Sequence, residues 1–232
     1  LTETGNVERV EAHPNFRIFA AMNPATDVGK RDLPAGIRSR FTEIYVEGPD
    51  RDPKSLQSIV ETYIGSNTVD TALAADVTAL YRKIQDFADQ NMLVDGADQK
   101  PHFSLRTLTR TLSYAREIAP QCSLRRALYE GFHMSFLTFL NKASESLLEP
   151  IIKQHLLCKQ RNAAAELHKP LARPNDATHS YVREGHYWLR KGVHLIEEQP
   201  HYIITPFVRR NLDNLIRAAS TRRFPVLIQG PT

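Results

Sequence analysis

The spacing of apolar positions changes along the chain. Residues 6–11 (NVERVE) alternate polar and apolar, the pattern of a half-exposed strand. Residues 16–22 (FRIFAAM) are an almost unbroken apolar run between the turn signal His13-Pro14-Asn15 and Asn23-Pro24. That length predicts a buried strand of a parallel sheet. A long loop follows over 26–32, Pro34 suits the opening of a short helix, and residues 41–46 (FTEIYV) predict another strand. From Asp52 the period becomes helical. Asp52 can cap a helix whose first turn takes Pro53, with Leu56, Ile59, Val60, Tyr63 and Ile64 on one face and Gly65 as its stop. A second helix is predicted over about 70–90, with Leu73, Val77, Leu80, Tyr81, Ile84 and Phe87 inward. Residues 94–102 read as a loop. Ser104 caps a third helix bearing Leu105, Leu108, Leu112 and Ala115. Ser123 caps a fourth bearing Leu124, Ala127, Leu128 and Phe132, and a fifth covers 144–157.

After that bundle the pattern breaks again. Residues 159–180 are polar, contain Pro170 and Pro174, and read as a linker. Tyr181-Val182 and His186 to Leu189 predict a small hairpin about Gly185. Thr205-Pro206 opens another helix with Phe207, Val208, Leu212, Leu215 and Ile216 inward, and residues 224–229 (FPVLIQ) predict a buried strand. The expected fold class is therefore α+β and helix-rich.

The chain has 232 residues, 41% of them hydrophobic and 24% charged, which suits one large or two small globular domains and argues against disorder. No window approaches the 18 consecutive apolar residues of a membrane-spanning helix. Two cysteines, Cys122 and Cys158, are too few for a disulfide framework and point to a reducing compartment. The net charge of +4 is uneven: residues 1–160 carry −1 and residues 161–232 carry +5. A basic C-terminal third can face nucleic acid, although scattered surface arginines account for the same excess. His179, His186, His194 and His201 recur too widely for a zinc site, and no G-x-S-x-G nucleophile motif is present. Trp188 with Tyr181 and Tyr187 forms either a small hydrophobic cluster or a base-stacking surface.

Three positions suggest phosphate chemistry. Asn23 ends a predicted buried strand, where residues face the ligand crevice of an open α/β sheet. Arg38 and Arg40 precede a predicted strand, and guanidinium groups suit bidentate phosphate recognition. Arg106 lies in the first turn of a predicted helix, where a cation opposes the helix dipole unless an anion is bound. Taken singly, Asn23 reads first as a turn residue and the arginines as solvated surface groups.

Their order, and the wording around them, resemble the second half of an AAA+ ATPase module. FRIFAAMNPATDVGKRDLPAGIRSRFTEIYV (16–46), HFSLRTLTRTLSYA (102–115), SLRRALYEGF (123–132) and EGHYWL (184–189) closely resemble the midasin family, giant nuclear ATPases with six tandem AAA+ modules. The resemblance is weakest over 141–180. It implies that residues 1–47 are the C-terminal part of a large α/β subdomain and 48–158 a small helical lid. Residues 159–204 are then a linker with a hairpin, and 205–232 the start of the next module. It implies Asn23 as sensor 1, Arg40 as an arginine finger acting in trans with Arg38 as the alternative, and Arg106 as sensor 2. Val226 to Thr232 resembles a P-loop strand with Gly230, Pro231 and Thr232 opening G-x-x-x-x-G-K-[ST].

The chain lacks an initiator Met, stops before the P-loop Lys and holds no acidic Walker B strand. It thus reads as a piece of a longer protein, inactive by itself. For the full protein the resemblance implies ATP and Mg²⁺, neighbouring AAA+ modules, and pre-ribosomal particles with their assembly factors as partners. It also implies a nuclear location and no membrane. Hydrolysis would drive remodelling and export of the large ribosomal subunit. The alternatives are a non-hydrolysing interface module and a basic RNA-contacting module.

Overall fold

The computed structural model describes residues 11–22, 33–65, 70–158, 162–194 and 201–230. The chain divides into two compact units, residues 1–47 and 48–232. In the first, Pro34 precedes a short helix α1 (Ala35–Arg38), and its carbonyl accepts from Ile37 N and Arg38 N at 2.9 and 3.0 Å. The strands expected at 16–22 and 41–46 do not form: among the described residues both segments lack a ladder partner, and Phe19 is 95% and Ile44 82% exposed. A strand buried on both faces needs neighbours for its N–H and C=O groups and layers over its side chains. Among the described residues no other strand supplies them. The strand expected at 6–11, Asn23 and the loop 26–32 lie outside the described residues.

The second unit is a helical bundle whose boundaries follow local chemistry. Helix α2 (Pro53–Ile64) starts where the Asp52 carboxylate accepts from Lys54 N and Ser55 N. It ends at Gly65, whose φ of 93° suits glycine. Helix α3 (Leu73–Asp89) buries Leu73, Val77, Leu80, Tyr81 and Ile84. Helix α4 (Leu105–Ile118) begins after Ser104, which caps through its backbone: the Ser104 carbonyl accepts from Thr107 N and Leu108 N, and its hydroxyl makes no capping bond. Helix α5 (Leu124–Phe132) is capped by the Ser123 hydroxyl accepting from Arg126 N at 3.3 Å, and it runs into a π-helical turn over His133–Leu137.

Helix α6 spans Lys142–Leu157. It starts two residues before the expected position because Asn141 caps it, accepting from Ser144 N at 2.9 Å. The core is apolar and aromatic: Phe132 stacks on Phe136 with centroids 5.0 Å apart, and Tyr81 meets Phe136 edge-on at 6.2 Å. Gly131 lets α5 approach α4, since a Cβ there would lie 2.7 Å from the Thr111 carbonyl oxygen.

The expected linker contains a short helix α7 (Ala163–His168). A hairpin follows, β1 (Tyr181–Glu184) antiparallel to β2 (Tyr187–Arg190), turning at Gly185 with φ 58°. Helix α8 (Pro206–Ala219) is capped by Thr205 Oγ1. It buries Ile216, Arg217 and Ala218, whereas Phe207 and Leu215, expected inward, are 71% and 39% exposed. Residues 224–229 form no strand, with Leu227 91% exposed, for the same lack of a ladder partner among the described residues. Both cysteines are free, Cys122 half-buried and Cys158 exposed. Among the described residues no helix is long and apolar enough to cross a membrane.

Candidate functional site

The arginines singled out by the sequence occupy distinct environments. Arg38 ends α1, and its guanidinium makes a two-pronged contact with Glu43, Nε to Oε1 at 2.5 Å and Nη2 to Oε2 at 2.9 Å. That hydrogen bonding holds the exposed Glu43 carboxyl below its usual range. Arg40, just past the helix, donates from Nη1 to the Gly36 carbonyl at 2.9 Å and is exposed. A planar fork already filled by a carboxylate is less available to phosphate than one resting on a single carbonyl.

Arg106 sits exposed in the first turn of α4, where no acidic residue accompanies it. Its guanidinium forms no hydrogen bond or ion pair among the described residues. The free N–H groups of that turn and the positive end of the helix dipole point the same way, so α4 presents an anion-seeking end with a cation added to it. Asn23, Pro231 and Thr232 lie outside the described residues, and Gly230 is exposed with open space where a Cβ would sit.

Glu130 of α5, which no sequence pattern singled out, is the centre of a buried charged hub. Glu130 is 2% exposed. One carboxylate oxygen accepts from Arg126 Nε at 2.6 Å. The other accepts from Arg217 Nε at 2.8 Å and from the Tyr187 hydroxyl at 2.5 Å. Burial alone would raise this carboxyl. The charges of Arg217 and Arg126, with the hydrogen bonds from Tyr187 and Arg217, outweigh burial and hold its pKa down to about 2. The Arg217 guanidinium lies 5.6 Å from the Tyr187 ring centre and donates to Asn214 Oδ1. Arg126 also donates to the Glu166 carbonyl of α7. The Glu130 carboxylate thus joins α5, β2 and α8, and Arg126 extends the hub to α7.

Next to the hub, the His133 ring has an enclosed Nδ1 with no hydrogen-bond partner among the described residues. Burial first and the nearby Arg217 charge second push this imidazole down to about 3, so it is neutral at physiological pH. The signal in the sequence was an acid amid apolar residues in LYEGF, four residues after Arg126. Nothing local announced Arg217.

A crevice of about 430 Å³ opens beside α8, lined by His133, Glu145, Arg209, Arg210, Asp213 and Arg217 among others. Its cations are already matched: Arg209 with Glu184 and Asp213, Arg210 with Glu145, and Arg217 with Glu130. The positive excess of residues 161–232 is therefore partly neutralised inside the fold. Among the described residues no group of three or more His, Cys, Asp or Glu side chains is placed to hold a metal ion.

Residues 55–159 match the family described as the midasin AAA lid domain. The whole chain aligns at 43% identity with midasin of Dictyostelium discoideum, covering 4% of that protein. With midasin of Giardia intestinalis the identity is 30% over 96% of this chain and 5% of the relative. The chain thus spans a small part of the length of these curated relatives.

Proposed function

The chain belongs to the midasin family, and from that membership we propose that it forms the lid side of one AAA+ module together with the opening of the next. In this reading Arg106 contacts the phosphates of nucleotide held by its own module, and Arg40 reaches the nucleotide of a neighbouring module. Asn23 orients the attacking water, and Gly230 to Thr232 begin a P-loop. ATP supplies the transferable phosphoryl group. The chain's residues supply positioning and cationic charge, which phosphoryl transfer chiefly needs. The ring so formed would use ATP and Mg²⁺ to remodel pre-ribosomal particles in the nucleus. This segment alone, with no complete P-loop in its sequence, should not turn over ATP.

The observation that carries this reading is Arg106, an exposed guanidinium with no partner among the described residues, placed at the helix end that disfavours a cation. A bound phosphate removes that conflict, and the environment fits one. Arg40 supports the trans role better than Arg38, whose fork Glu43 occupies. The hub favours an added junction role, because Glu130 ties the lid to the helix that leads toward Gly230.

The test is Arg106→Ala in the full-length protein. Loss of a charge-assisted contact of about 1.5–3 kcal/mol predicts roughly ten- to a hundred-fold weaker nucleotide binding at that module. Unchanged affinity and ATPase rate would leave Arg106 an ordinary surface arginine.

A further inference from the structure

One face of α4 links its nucleotide-facing end to the segment that opens the next P-loop. Arg106, Arg110, Tyr114 and Glu117 are spaced i, i+4, i+8 and i+11, which places them in a single stripe. The last three hold the chain after α8. The Arg110 guanidinium carbon lies 5.1 Å from the Phe224 ring centre. The Tyr114 ring lies 6.2 Å from the Phe224 ring, and its hydroxyl donates to the Arg217 carbonyl at 3.1 Å. Glu117 Oε2 accepts from Arg223 Nη1 at 3.2 Å. Phe224 packs against the bundle core, while Leu227 and Ile228, just beyond it, are exposed. Pro225 has a fixed φ and disfavours a helical backbone at Phe224, so the direction set at the anchor bears on the following residues. Gly230 is six residues past Phe224, a reach of about 20 Å at most.

We propose that Arg110 and Tyr114 are positioning residues for the nucleotide site that Gly230 opens. Through them the helix that presents Arg106 to one nucleotide fixes the approach of the P-loop to the next. Neither residue touches nucleotide. Both act through Phe224, and a shift of α4 at one site moves the anchor of the other. The proposal rests on the P-loop reading of residues 226–232.

The experiment uses the full-length protein and reads nucleotide occupancy of the following module over a series of MgATP concentrations. Arg110 is exposed, so Arg110→Ala leaves the fold intact and isolates the contact with Phe224. Loss of an exposed cation–π contact predicts about two- to five-fold weaker MgATP binding at the following module. Arg110→Lys should restore most of it. Phe224→Leu should weaken binding similarly, with no further loss when Arg110→Ala is added, because the pair acts as one unit. Gly230→Val is the separate arm for the P-loop reading and should abolish occupancy there. If Gly230→Val changes nothing, the P-loop reading falls and the proposal with it. If Gly230→Val abolishes occupancy but Arg110→Ala and Phe224→Leu bind as wild type, the P-loop reading stands and the positioning role is overturned.

Discussion

Glu130 and Arg217, 87 residues apart, meet as a buried ion pair: Arg217 Nε donates to Glu130 Oε2 at 2.8 Å, with the two side chains 10% and 2% exposed. The pair closes the bundle onto α8. Glu130 also bonds Arg126 and Tyr187, so the carboxylate has a partner at each oxygen. Such a site adds little over a well-packed apolar alternative, but removing one member strands the others in a dry interior.

Glu130→Ala should therefore destabilise the chain by about 3–5 kcal/mol, because Arg126 and Arg217 lose their shared counter-charge. Glu130→Gln keeps the volume and one acceptor oxygen and should cost less. Denaturant titration of both variants checks the order. A loss below about 1 kcal/mol for the alanine variant would remove the hub from the account of stability.

Acid should weaken the fold in two windows. His133 has a native pKa of about 3, lowered by burial and Arg217, against 6.5 when free. As pH falls below 6.5 the unfolded chain takes up this proton first, so stability drops from there toward pH 3, by at most about 1.4 kcal/mol per pH unit. Glu130, held down to about 2, contributes stability above its free value of 4.5, and that contribution is lost as pH falls from 4.5 toward 2. His133→Leu should flatten the fall between pH 6.5 and 4.5 and leave the loss below pH 3 unchanged. His155, lowered by burial and Lys83, leaves a residual slope. A full upper slope in His133→Leu would assign that proton elsewhere.

Gly131→Ala tests the close approach of α4 and α5. The added methyl would sit 2.7 Å from the backbone oxygen of Thr111, which no rotamer change relieves. Overpacking of this kind costs about 1–3 kcal/mol. Thermal melting of the variant checks it, and an unchanged midpoint would mean that the two helices separate freely.

Much of the bundle was legible because its signals are local. Asp52, Pro53 and Gly65 bound α2, and Gly185 marks the hairpin turn, each through backbone chemistry needing no distant partner. The strands predicted at 16–22, 41–46 and 224–229 were not borne out for the opposite reason. An apolar run such as 16–22 states a preference for burial, but the strand exists only where other strands complete its ladder. Helix α8 spreads its apolar positions over about half its circumference, from Phe207 through Leu215 and Val208 to Leu212 and Ile216. The period alone did not say which edge of that broad face meets the bundle, or that Arg217 would be buried beside Ile216. Helix α7 went unread because its AAAEL core sits in a polar, proline-bearing stretch. Arg38, Arg40 and Arg106 became candidates by position and residue type alone. The Glu130 hub depends on tertiary contacts across 57 and 87 residues, which no spacing rule encodes.

The account rests most on this chain serving two nucleotide sites at once. The most direct test is the nucleotide state of each module in the assembled full-length protein carrying Arg40→Ala. Among the described residues the exposed Arg40 guanidinium is held by one carbonyl contact, so its removal should spare the fold. Loss of a transition-state arginine can slow hydrolysis by about 10³-fold or more, and Lys should not replace its planar fork. The predicted result is a changed nucleotide state in the neighbouring module, with the module that owns Arg40 unaffected and Arg38→Ala far milder. A change confined to the owning module would contradict the account.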